Sequence, residues 1–518
     1  MAAANHNPGL ISTFLVVIAI ALQYTGEYRQ KMLEMHNANS TAIKEGIFSA
    51  IRSRLLDIVS FSSIEAVQTC VLLGTYYLYH GSPNLAWPVC GCGLRVAQAL
   101  KLHRKLPTTE PTSLALQQEI ETRKRCWWAI YEIETFCSIS YGYPHGIVDA
   151  DCNVELLDPL ATYTCQSPAS YNEMHQCPAT LLSYKYLMSK LSVFLKEVLT
   201  DLYGIGLNKT GSWERQSFKL DSKRLLRKVA ILDDRLDKWK AEIPDILCLS
   251  QVNRANYSSP EEMDRDIGAS GPGFESHIYQ LQALALAFAY ENARILVHRP
   301  LMTYRTKLCQ DPASGISPDT FKDTFQMSLQ TCRNAAMSTS HIGTSPVFCL
   351  AAETYAAAFI SIHTFTAGVM LCVLASIELF TPESQECKIG LRRILNMQGQ
   401  LQSKSRSALS AQGLEILQRL TRLVMERELT EMLGSKTEAS AQDKQPELQP
   451  SEDWNNSVED QPDAQLGQGT EIFYGDSMPD IVENTDISQA LFDLDQGMHH
   501  YSSEFSMLAH SFHSIIWS

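Results

Sequence analysis

Bulky apolar residues return at three- and four-residue intervals through most of the first 433 positions, and clusters of Gly, Pro, Ser and Asn interrupt them. That period turns one face of a helix inward. It predicts helices near Leu181–Tyr203, Ser222–Glu242, Phe274–Val297, Phe321–Ala336 and Ala408–Leu433, with connectors at 204–213, 250–273 and 303–318. No alternating strand pattern of useful length and no fixed repeat interrupts this rhythm. The expected fold class is therefore all-α, a large multi-helix domain of antiparallel helix pairs, and 518 residues at 45% apolar content supply a large core.

Two apolar runs carry a second reading. Leu10–Leu22 resembles the core of a signal peptide, but no Lys or Arg precedes it and it is short for a bilayer. Thr354–Ser376 is long enough to span a membrane and has no formal charge, while His363 and its Ser, Thr and Ala residues suit a helix inside an α-domain.

Between positions 62 and 159 the local signals are denser. Ser62 followed by Glu65 forms a capping box for a helix running through Tyr77. Gly81-Ser82-Pro83-Asn84 stops it, and a second helix from Ala86 carries Gly93, Arg95, Ala97, Lys101, His103 and Arg104. The small residues Gly93 and Ala97 let another helix approach closely. Next come Glu121-Thr122-Arg123-Lys124-Arg125-Cys126-Trp127-Trp128, then Gly142-Tyr143-Pro144 and Asp149-Ala150-Asp151. The basic run beside two Trp reads as a solvated face over a packed aromatic stripe. Far downstream, Ile295-Leu296-Val297-His298-Arg299-Pro300 reads as the end of a long helix that stops at Pro. His103 and His298 each precede an Arg at an expected helix end, where an imidazole caps terminal carbonyls.

This ordered set resembles the regulatory, or middle homology, domain of fungal zinc-cluster transcription factors over roughly residues 10–432. The resemblance implies an all-α regulatory domain marked by Arg95, His103, Arg104, Trp127, Trp128, Gly142, Pro144, His298, Arg299 and Pro300. Lys101 stands where the family usually has Gly, Tyr143 where it has Arg, and Glu134-Thr135 where it has an Asp-Arg pair. Factors of this type control metabolic gene sets, including those for secondary metabolites, from the nucleus.

Cysteine spacing bears on the zinc cluster itself. The closest pair is Cys90-Gly91-Cys92 and no Cys-x-x-Cys occurs, so the chain as given lacks the short spacings that hold zinc between thiolates. Its 14 Cys read as reduced, packed thiols. No cofactor is expected in this chain, and zinc enters only with an upstream module. Because the family-like part begins almost at Met1, such a module is expected from an upstream exon or a partner.

Charge divides the chain. Residues 434–518 hold 16 Asp and Glu against 2 Lys, so the whole net charge of −14 lies there and the body is formally neutral. A neutral body neutralises few phosphates, so DNA contact is expected only through another module or a zinc-cluster partner. The expected division is an irregular start at 1–9, the regulatory domain at 10–433 and an acidic disordered tail at 434–518. Within the tail, Leu491, Phe492 and Leu494 lie among acids, the composition of an activation segment that enters a coactivator groove, or of a tail that docks back on the body.

No phosphate loop, zinc-protease helix or nucleophile elbow appears, so an enzyme is not expected. Three functions remain open. The first is a nuclear transcription regulator recruiting the transcription machinery or a coactivator, as a homodimer or with a zinc-cluster partner, under a small-molecule effector. The second is a partner-dependent co-regulator without DNA contact. The third is a helical ligand-binding or membrane-associated protein.

Overall fold

The computed structural model describes residues 8–106, 114–159, 179–203, 215–249, 257, 259–268, 271–310, 322–377, 379–405 and 408–441. These residues form sixteen α-helices, and no strand occurs among them. In chain order they are α1 Pro8–Gln23, α2 Glu27–Met35, α3 Ser40–Ser53, α4 Leu55–Ser60, α5 Ile64–Tyr79, α6 Pro83–Ala99, α7 Leu114–Tyr141, α8 Leu181–Leu202, α9 Arg215–Ala241, α10 Pro260–Ile267, α11 Phe274–Gln310, α12 Lys322–Ile342, α13 Pro346–Ala351, α14 Ala356–Ile377, α15 Pro382–Ser405 and α16 Ala408–Ala441.

Most expected helices are present, and several boundaries move for local reasons. The cap of α5 is Ser63, whose hydroxyl accepts from Ala66 N at 3.2 Å, and not Ser62. Ser62 instead takes a left-handed φ of 45°, which turns the chain out of α4. Helix α6 starts at Pro83, three residues before the expected Ala86, because a Pro at the first helical position gives up no hydrogen bond. The connector at 250–273 contains α10, capped by Ser259 and opened by Pro260. Helix α11 continues through Pro300 to Gln310 across the start of the connector expected at 303–318. Helix α1 begins at Pro8, inside the stretch expected to be irregular, and α16 runs on to Ala441. The helices α2, α3 and α4 were not foreseen, being short and only weakly apolar. Tail residues Leu491, Phe492 and Leu494, and the connector at 204–213, lie outside the described residues.

The N-terminal layer packs α1, α3 and α4 against α5, α6 and α7. Helix α5 meets α6 closely because both faces are small at the contact. A Cβ added at Gly74 would sit 2.2 Å from Cys90 Sγ, and one at Gly93 would sit 2.8 Å from Cys70 Cβ. The apolar run of α1 is stitched to α5 by buried hydroxyls, with Ser12 Oγ 2.8 Å from Thr69 Oγ1 and Thr13 Oγ1 donating to Glu65 O at 2.8 Å.

A second core joins α8, α9 and α11, and a third joins α11, α12, α14, α15 and α16. Helix α14 is long and apolar enough to cross a membrane, yet its side chains are largely buried against these neighbours. Its Ser361 and Thr364 are satisfied inside the protein. Gln398 of α15, with no exposed surface, donates to Ser361 O and Thr364 Oγ1 at 2.7 Å each and accepts from Ser361 Oγ at 3.0 Å.

Helix α6 ends in a Schellman turn, with Leu102 N donating to Ala97 O and Lys101 N to Gln98 O, both at 2.9 Å. Lys101 sits at the left-handed position of that turn with φ 58°. A side chain there costs about 1 kcal/mol relative to Gly. Lys101→Gly is therefore expected to raise the stability of the chain by about that amount in a urea or thermal melt; a loss would mean that the Lys side chain contributes more than the backbone strain removes.

Candidate functional site

The sequence-predicted residues fall into two groups. The first surrounds the end of α6 and the middle of α7. Trp127 and Trp128 are almost fully buried, and Trp128 Nε1 donates to Glu155 O at 2.9 Å. His103 packs against Trp127 with ring centroids 5.6 Å apart, and its Nδ1 has no hydrogen-bond partner. It therefore does not cap α6. That role falls to Arg123, which donates to Leu100 O at 2.6 Å, while Lys124 pairs with Glu121 at 3.0 Å. The basic run is thus partly built into the packing instead of being only a solvated face. Arg95 and Arg104 are exposed, Arg95 donating to Gln98 at 2.7 Å.

The turn after α7 needs Gly142, which has φ 67°, whereas Pro144 is exposed. Tyr143 stacks on Trp87 at 4.8 Å and on Tyr141 at 5.9 Å. Two polar residues of α7 then hold the loop. Glu134 accepts from Gly146 N at 3.0 Å, and Thr135 meets His145 Nε2 at 3.1 Å. Burial raises the Glu134 carboxyl above the ordinary range, and His145 Nδ1 accepts from Ile147 N at 3.2 Å. Lys196 of α8 reaches the same loop, bonding Ile147 O and Asp149 at 2.8 Å each.

The second group lies on α11. His298 is mid-helix, not at a helix end, and its two nitrogens bridge Asp233 of α9 at 3.0 Å and Ser328 of α12 at 3.1 Å. That hydrogen bond holds the Asp233 carboxyl below its usual range. Pro300 has no N–H for Leu296 O, and Tyr203 supplies the missing donor, its hydroxyl meeting that oxygen at 2.6 Å. Arg299 covers the Tyr203 ring at 5.3 Å and donates Nε–H to its oxygen at 3.3 Å. The helix continues through Pro300 because its freed carbonyl is satisfied from α8's end.

Between these groups lies a cavity of about 370 Å³, walled by α5, α7, α8, α11 and α14. It contains no metal set: among the described residues no cluster of His, Cys, Asp and Glu could hold an ion. Desolvation pushes the buried thiols up, Cys70, Cys137, Cys332 and Cys372 to about 12.

Residues 1–241 match the fungal specific transcription factor domain family. Over that stretch the chain is similar to this family. It is similar to an uncharacterized transcriptional regulatory protein of Schizosaccharomyces pombe, 21% identical over 305 residues, which are 58% of this chain and 32% of that protein. The thiamine repressible genes regulatory protein of the same yeast is 25% identical over 235 residues, 45% and 27% of the two chains. Activator of stress genes protein 1 of Candida albicans is 22% identical over 271 residues, 51% and 25%. The matched part thus spans about a quarter to a third of these relatives.

Within the matched residues 1–241 the two Trp and the α5–α6 contact are packing elements and Gly142 is a turn residue, while Tyr203, Glu134 and His145 are partners that local sequence did not reveal. Tyr203 sits 93 residues from the carbonyl it serves, so no spacing rule finds it.

Tyr203→Phe is expected to leave Leu296 O unsatisfied and to cost about 1–3 kcal/mol in a urea melt. In a Pro300→Ala background, where a backbone N–H returns, the same change should cost clearly less; equal costs would sink the assignment.

Burial holds His145 down to about 4 and His363 to about 3. Both stay neutral in the folded chain while the unfolded chain takes up protons below about pH 6.5, so stability falls as pH drops through that window. Asn at 145 keeps an acceptor for Ile147 N and does not titrate. The melting temperature of His145→Asn is therefore expected to fall less than that of the parent between about pH 7.5 and about pH 5.5, and parallel losses would contradict it.

Proposed function

We propose that this protein regulates transcription of a fungal metabolic or secondary-metabolite gene set from the nucleus. The all-α body, 10–433, acts as the regulatory domain and the acidic tail, 434–518, recruits a coactivator through Leu491, Phe492 and Leu494. The observation that carries this reading is the match of residues 1–241 to the fungal specific transcription factor domain, together with relatives named as transcriptional regulators. The buried Trp127-Trp128 pair, and the His298–Pro300 segment bonded to α8, α9 and α12, are consistent with a packed regulatory body.

The formal neutrality of residues 1–433 favours one version of this role. DNA contact comes from a further module or from a zinc-cluster partner, because a neutral surface releases few counterions on binding phosphates. The body then governs access to the tail, and an effector shifts the balance between masked and exposed states.

A reporter assay tests the tail directly. Residues 434–518 fused to an unrelated DNA-binding module are expected to activate, and the triple change of Leu491, Phe492 and Leu494 to Ala should remove most of that activity. Fusing the whole chain should give less activation than the tail alone. Reporter output no higher than that of the bare DNA-binding module would overturn the recruiting role.

A further inference from the structure

The cavity of about 370 Å³ has a cause in the sequence. Helix α11 presents Ala285, Ala289 and Ala293 at four-residue spacing, so all three share one face, and all three line the cavity. Methyl groups leave open the space that Leu or Phe would fill. A volume of this size falls within the range of small-molecule sites.

The opposing walls are aromatic and connected. Tyr79 meets Phe136 edge-on at 5.9 Å and Tyr355 at 5.4 Å, while Phe359 lies 6.2 Å from Phe136 and 4.2 Å from His363. Such rings accept another planar ring by stacking or edge contact. The charged pair on the lining is closed on itself: Lys185 Nζ lies 2.8 Å from Glu132, which also accepts from Ser189 Oγ at 3.1 Å.

His363 is the polar exception. It is 8% exposed, lines the cavity, and meets Asn292 Nδ2 at 2.5 Å through Nδ1, which places its remaining proton on Nε2. Nε2 has no hydrogen-bond partner. Gln282, also on the lining, donates to Leu181 O at 3.2 Å and leaves Oε1 without a partner. Unpaired buried groups of this kind cost about 1–3 kcal/mol each until something bonds them. Gln282 and Asn292, the residue that meets His363, are ten residues apart on α11, about 15 Å along its axis.

We propose that this cavity binds an uncharged, largely apolar small molecule bearing a planar ring system and a carbonyl or hydroxyl oxygen that accepts from His363 Nε2–H. An elongated shape lets a second polar end reach Gln282. The closed Glu132–Lys185 pair and the burial of His363, whose pKa is lowered to about 3, both leave the lining without net charge. An anionic or cationic ligand would lose its hydration there with no counter-charge to replace it. This cavity is where the effector of the transcriptional reading would act, but binding is measured without a promoter, so either can fail alone.

Nile red, a neutral planar dye with a carbonyl oxygen, is the probe. Titrated into the purified full chain, it is expected to give saturable, blue-shifted emission from a single site. Ala289→Phe, which fills the cavity, should weaken binding at least about tenfold while the helical circular dichroism is kept, and Ala285→Leu serves if that variant does not fold. His363→Phe keeps the ring and removes the donor, and should weaken binding about fivefold. The anionic dye anilinonaphthalene sulfonate should not compete. Non-saturating emission, or unchanged affinity in a folded cavity-filled variant, overturns the site; full affinity in His363→Phe overturns the anchor; competition by the anionic dye overturns the uncharged class.

Discussion

Helix α11 passes through Pro300 without breaking, and the contact that allows this ties the end of α8 to the longest helix of the body. A Pro inside a helix removes one backbone hydrogen bond and crowds the carbonyl four residues back, at a cost of about 3 kcal/mol. Here that carbonyl, Leu296 O, receives the Tyr203 hydroxyl, and the Arg299 guanidinium lies over the same ring. One phenol thus repairs the helix and fixes the end of α8 against it. Before the Pro, opposite faces of the helix serve two cores, with α8 and α9 on one side and α12 and α14 on the other. His298, between Leu296 and Pro300, bonds to α9 and α12 at once.

The same helix sets the central space. Its Ala285, Ala289 and Ala293 face holds α5, α7, α8 and α14 around a cavity instead of a filled core. Large α-domains usually close such gaps to near crystalline density, since each void loses dispersion contacts. A gap bounded by rings and by an imidazole whose Nε2 has no partner is therefore informative about what the body does. The N-terminal layer reaches this space through α5 and α7, whose helices also carry the buried Trp pair and the Glu134 and Thr135 side chains that hold the 142–148 turn. A change at the cavity is mechanically continuous with the turn, through the single rigid helix α7 that contributes to both.

Local substitutions that depart from the family pattern illustrate how packing absorbs them. Lys101 keeps the left-handed position that Gly would occupy more easily, because two backbone hydrogen bonds and buried Leu102 hold the Schellman turn. Tyr143 replaces a charge by stacking between Trp87 and Tyr141. Glu134 and Thr135 hold the following loop through neutral hydrogen-bonding partners, so the loop is fixed without the family's Asp-Arg pair.

Periodicity and breakers were enough to establish an all-α body and to place α8 and α14, because these are decided within one or two helical turns. The close approach at Gly93 was legible too, since small side chains announce it wherever the partner lies. What the sequence could not decide was everything set by partners distant along the chain. The continuation of α11 past Pro300 depends on Tyr203, the bridging of His298 depends on Asp233 and Ser328, and the cavity depends on five helices meeting with three Ala between them. A local pattern records which residues prefer to be inside; only the assembled helices determine which buried polar groups find partners, and which space is left unfilled.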